Sequence, residues 1–112
     1  MLPGRGIVIN STNPTIAQNS SIITADHMVQ ISAQVVTTGA STGNVVLQAS
    51  NDPPTLTPKN WTPVPLATVA VAGAESVMMP LTEVCYAWLR FVYTPTAGAA
   101  GTLIVQFKSN GF

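Results

Sequence analysis

The chain has 112 residues, 46% of them hydrophobic and only 7% charged, with four acids and four bases balancing to zero. Ordinary soluble domains carry roughly 25% charged residues and use dispersed net charge to stay apart, so this composition suits a protein that lives packed against other proteins. It excludes the clustered Lys and Arg of a nucleic-acid surface, leaves almost no titratable groups to tune for catalysis, and spreads one His, one Cys and four acids too thinly for a metal site.

No stretch approaches the roughly 18 consecutive apolar residues of a membrane-spanning helix. The start, Met1 to Gly6, lacks the basic segment and apolar run of a secretory signal. Cys85 is alone, so synthesis in a reducing cytoplasm is the expectation. With no cation or His placed beside it by the sequence, Cys85 reads as a buried small hydrophobe.

Helix signals are nearly absent, while Val and Thr are frequent and Pro or Gly punctuates every eight to twelve residues or so, the pattern of short strands in a sandwich or barrel. A first strand is predicted from Gly6 to Ser11, with Asn13-Pro14 as its turn. The apolar patch Ile16 to Thr24 is less regular. From His27 to Thr38 the residues alternate, with Val29, Ile31, Ala33 and Val35 on one face of a half-buried strand. A small-residue loop, Thr38 to Gly43, leads into a return strand, Asn44 to Ser50, with Val45, Leu47 and Ala49 inward and Gln48 and Ser50 outward.

Asn51-Asp52-Pro53-Pro54 ends that strand, because Pro donates nothing to a ladder and restricts the residue before it. A surface loop then reaches Asn60. Trp61 to Val64 and Ala67 to Ala72 read as two short edge strands broken by Pro63 and Pro65. Ser76 to Met79 is a further strand, and Leu81 to Val84 a short helical turn or a crossing loop. The clearest strand is Tyr86 to Thr94, with Ala87, Leu89, Phe91 and Tyr93 on one face and Tyr86, Trp88, Arg90 and Val92 on the other. The last runs from Thr102 to Lys108, with Leu103, Val105 and Phe107 on one face. The expectation is an all-β antiparallel sandwich or barrel of jelly-roll type with about eight strands. Residues 1–19 form an N-terminal arm or edge strand, and residues 20–112 a single domain whose core includes Leu47, Leu89, Phe91 and Val105.

Trp61 follows the loop and reads as a hydrophobic lid at a sheet edge rather than a sugar-stacking platform. Tyr86, Trp88 and Arg90 are of the types enriched at interface hot spots. They are candidates for contact with a partner or for cover by another segment of the same chain. At the usual strand rise, Trp88 and Arg90 lie about 6.6 Å apart, which predicts guanidinium stacking on that indole. Leu2, Ile7 and Ile9 in the arm are further interface candidates, because an apolar arm can complete a sheet edge or reach a neighbour. Asp52 reads as an Asx-turn residue rather than a calcium ligand, and His27 as a surface strand start. No cofactor, metal or catalytic residue is expected.

Four runs together carry a resemblance: Val46 to Asp52, Asn60 to Val64, Cys85 to Thr94, and Gly101 to Val105. They resemble small phage virion proteins, in particular the capsid decoration, or staple, proteins of epsilon-fifteen-type short-tailed phages. That resemblance covers about the C-terminal two-thirds of the chain, and its motifs are structural rather than catalytic. It implies a jelly-roll module on the outer surface of the virion's icosahedral shell, binding the major capsid protein and itself as a dimer between capsomers, after synthesis in the host cytoplasm. The order of motifs is also similar to the galactose-binding-like jelly rolls of carbohydrate-binding modules. A sugar-binding sandwich within a receptor-binding assembly is therefore the alternative.

Overall fold

The computed structural model describes residues 4–12, 16–25, 28–39, 42–97 and 101–111. Nine strands occur among them: β1 (Gly4–Ser11), β2 (Gln18–Asn19), β3 (Ile23–Thr24), β4 (Met28–Gly39), β5 (Thr42–Ser50), β6 (Thr62–Ala72), β7 (Glu75–Glu83), β8 (Trp88–Ala97) and β9 (Gly101–Gly111). They form two antiparallel sheets. One has the order β1-β9-β4-β7, the other β2-β8-β5-β6 with β3 also on β8. Strand number exceeds the expected eight because the irregular patch forms two short pieces along one partner. Asn19 faces Val92 and Ile23 faces Leu89. Between them the chain bulges, and Ser20 holds the gap by donating its N–H to the Phe91 carbonyl and accepting the Phe91 N–H on Oγ, both at 2.8 Å.

The core lies between the sheets and follows from alternation. Successive side chains of a strand point to opposite faces, and the inward sets are Ile31, Ala33 and Val35 on β4, Val45, Leu47 and Ala49 on β5, Leu89, Phe91 and Tyr93 on β8, and Leu103 and Val105 on β9. The predicted core residues Leu47, Leu89, Phe91 and Val105 are all fully enclosed. Burying the Tyr93 ring desolvates its hydroxyl and raises its pKa.

Interruptions of this pattern explain where the sequence reading and the structure differ. On β4, Met28 and Gln30 face adjacent residues of β9, Gly111 and Asn110, so Val29 is extra and turns out to 40% exposure instead of joining the inward row. On β7, Met79 faces Ala33 and Thr82 faces Ile31, which inserts one residue at Pro80-Leu81. A bulge tolerates a residue without a ladder N–H, so β7 continues to Glu83 where a helical turn or crossing loop was expected. Ser50 is buried beside Ala49 rather than outward, its Oγ accepting the Asp52 N–H at 3.2 Å. Cys85 is an exposed free thiol, not a core residue, because it falls in the link between β7 and β8.

All four sheet edges are blunted against strand addition. β1 carries a register shift between Ile7 and Ile9, and β2 and β3 are two residues each. The other two edges contain prolines, Pro63 and Pro65 in β6 and Pro80 in β7. Association through this fold therefore favours loops and side-chain surfaces over sheet extension.

Candidate interaction site

The two tryptophans and two of the four cations of the chain meet at one end of the five-stranded sheet. Residues 51–61, between β5 and β6, form a loop fastened to the start of β8. Asn51 Oδ1 accepts the Ala87 N–H at 2.8 Å, and the Asp52 carbonyl accepts the Trp88 indole N–H at 3.0 Å. The Asp52 carboxylate accepts the Asn60 N–H, closing the loop on itself. That backbone donor holds the Asp52 carboxyl below its ordinary range, with smaller help from Ser50 and the Lys59 charge and some opposition from desolvation. Lys59 donates to the Leu56 carbonyl at 3.2 Å, and its ammonium sits 4.8 Å from the Trp88 ring centroid.

Arg90 stacks on the other tryptophan. Its guanidinium lies 4.6 Å from the centroid of Trp61, and its Nε–H donates to Gln48 Oε1 at 2.8 Å. The expected Arg90–Trp88 stack is thus replaced. Gln48 of β5 is the Cα partner of both Arg90 on β8 and Pro63 on β6, so Arg90 is drawn across the sheet toward the chain entering β6, where Trp61 stands. Trp88 leans the opposite way, to Asp52 and Lys59. Among the described residues no carboxylate pairs with Arg90. Partial burial lowers its pKa, and a guanidinium remains charged in proteins. Among the described residues only Gln48 accepts a hydrogen bond from its guanidinium.

Tyr86 does not belong to the stripe. β8 begins at Trp88, and Tyr86 lies in the preceding link, half-buried against the core. It borders a depression of about 440 Å³ together with Asn51, Asp52, Asn60, Pro63, Val64 and Pro65, among others. Of the arm candidates, Ile7 is 58% exposed on the outer face of β1, whereas Ile9 is in the core. The extra residue between them, Val8, reverses which side faces inward. Leu2 and His27 lie outside the described residues.

One surface residue escaped the sequence reading. Leu66 is 91% exposed, and its φ is +64°. Pro63 faces Gln48 and Thr68 faces Val46, so β6 spends five steps where β5 spends two, and the surplus loops outward around Pro65-Leu66. The only signal was the run Pro63-Val64-Pro65-Leu66, two prolines spaced by one residue before a lone apolar side chain.

No family model matches the chain, and no curated protein matches it. Solved structures do. It is similar to the PBSX exported protein XepA, with 16% identity over 96% of this chain and a TM-score of 0.71. The chain spans 37% of XepA. It is also similar to the SPBc2 prophage-derived protein YomS, with 7% identity, 98% of this chain and 96% of that one covered, and a TM-score of 0.54. PirA follows at 16% identity, 96% and 84% coverage and a TM-score of 0.52. At these identities the likeness establishes a shared fold.

Proposed function

We propose that the chain is a non-enzymatic phage virion protein that decorates the outer surface of an assembled shell, binding the major capsid protein and cementing neighbouring capsomers. The observation that carries this reading is the Trp61–Arg90 stack. It is a half-buried, semi-polar surface of interface residue types, on a chain with eight charges in all, whose cation has no carboxylate of its own among the described residues. The fold shared with XepA and YomS, phage proteins both, supports a virion setting.

Strand order supports the jelly-roll reading of that fold. Counting β2 and β3 as one broken strand gives eight, and the sheets then read first-eighth-third-sixth and second-seventh-fourth-fifth. This is the order obtained by rolling one long antiparallel hairpin, whose pairs are first with eighth through fourth with fifth.

The physics of cementing is mass action. A ligand that binds only the assembled shell lowers the free energy of that shell, and a dimer bridging two capsomers makes its second contact at high effective concentration. Apolar and neutral hydrogen-bonded contacts also survive salt better than exposed ion pairs do. The sugar-binding alternative has the depression beside Tyr86 in its favour, a largely apolar hollow with Asn51, Asp52 and Asn60 at its wall. Against it, each indole already has a cation over its ring, which takes up a face that a sugar would stack on.

Co-sedimentation with assembled shells of the major capsid protein from the same phage separates the two readings. Decoration predicts saturable pelleting that 100 mM galactose or glucose leaves unchanged. Loss of pelleting in sugar, or glycan binding without shells, contradicts it.

A further inference from the structure

A bulky residue in left-handed backbone is an outlier, since its Cβ crowds the following carbonyl. The fold holds Leu66 there all the same. Val64 and Ala67 are both buried, so each pegs the chain into the core, and the two residues between them are forced out. Pro65 fixes its own φ and stiffens the approach. The result is a rigid knob with one nearly naked leucine at its tip, on the same edge strand that begins beside Trp61. Strain of this kind persists where the surroundings impose it, and it concentrates at functional positions. Rigid presentation also removes the ordering cost that a flexible side chain meets on binding.

We infer that Leu66 is a pre-organised anchor that inserts into an apolar pocket of the shell protein, while Arg90 takes a carboxylate at the rim of that pocket. The inference rests on the decoration reading and deepens it. Charge complementarity favours a protein occupant: Arg90, which has no carboxylate partner among the described residues, lies on β8, two strands in from the knob, a lateral separation of about 10 Å at the usual strand spacing. A second copy of this chain is a poorer occupant, because it carries only four acids and two of them, Asp52 and Glu75, already accept backbone N–H groups of their own chain. A lipid surface fits poorly too, since one leucine buries too little apolar area to hold a membrane.

Leu66→Gly separates the two roles of the residue. Glycine accepts the backbone angle without strain, so the variant should melt at the same temperature as the parent or higher, while its affinity for assembled shells falls about 30-fold on the hot-spot scale. Leu66→Met, which restores an apolar side chain, should recover most of that affinity. Parent-like shell binding by Leu66→Gly overturns the anchor and leaves the decoration reading standing. Failure of the parent itself to bind shells removes the decoration reading and the anchor with it. A clear drop in melting temperature for Leu66→Gly overturns the strain argument. Leu66-dependent self-association in sedimentation without shells, or Leu66-dependent binding to phosphatidylcholine vesicles, assigns the knob to a different occupant and also overturns the proposal.

Discussion

Between β5 and β8 the ladder runs with one register shift near its end, and each buried residue has an outward neighbour: Val45, Leu47, Leu89 and Phe91 go in, Val46, Gln48, Arg90 and Val92 stay out. On the other side of β5, against β6, the ladder loses register, and three surplus residues carry Leu66 into solvent. The two flanks of one strand thus do opposite jobs. The continuous side makes a core and a rigid outer row for Arg90, and the interrupted side makes the projecting surface. Stability should therefore concentrate on the β8 flank, and partner recognition on the β6 flank and the loop that feeds it.

The largest test of that division is Phe91→Ala. Phe91 is fully enclosed opposite Leu47, and truncation should cost about 3–5 kcal/mol in urea unfolding. A parent-like midpoint would mean that the register is wrong by one residue.

Gly43→Ala probes the same flank by addition. A Cβ there would lie 2.7 Å from both the Thr94 carbonyl oxygen and Tyr93 Cε1, and the backbone contact has nowhere to move. Overpacking of this kind costs about 1–3 kcal/mol, read as a lower thermal midpoint. An unchanged midpoint would show that Tyr93 packs more loosely than the continuous ladder implies.

From the outer row of β8, Arg90 reaches over to Trp61 on the recognition side, so Arg90→Ala should weaken shell binding by about 2 kcal/mol, in a titration of shells with the variant, and change urea stability by less than about 1 kcal/mol. Arg90→Lys should not rescue it, because an ammonium neither stacks flat on Trp61 nor keeps the Nε–H donor to Gln48. Equal losses in folding and binding would merge the two flanks into one structural unit.

The smallest effect is one of pH. Asp52 has its carboxyl pKa lowered from 3.8 in the folded chain, mainly by the Asn60 N–H. Its contribution is therefore present above that unfolded value and lost as pH falls through the lower folded one. Trp88 emission should shift below about pH 3.8, as the loop that accepts its indole N–H loosens. Asp52→Asn should flatten that response. An equal shift in the variant would assign it to another group.

Most of the sandwich was legible because its inward rows alternate: β5, β8 and β9 can be read off Val45 to Ala49, Leu89 to Tyr93 and Leu103 to Val105. Bulges hid the rest. Val29 keeps the sequence period but loses its place when one residue is inserted on β4. Pro80 looks like a strand end in sequence, yet sits in a bulge on an edge. At the candidate site, Trp61 and Arg90 were each conspicuous, but their pairing was not, since two residues 29 positions apart meet only because β5 lies between their strands. Leu66 was illegible for a related reason. Exposure of a single leucine is set by the buried pegs on either side of it, and these follow from tertiary packing rather than from local pattern.

The most direct measurement of the central claim is the amide hydrogen-exchange footprint of the chain on assembled shells, compared with the chain alone. Slowed exchange in the 51–61 loop and the bulge around Leu66, with the outer face of β1, β9, β4 and β7 unchanged, is the result this account predicts. Protection confined to that four-stranded face, with the loop and bulge exchanging as fast on the shell as in free solution, would contradict it.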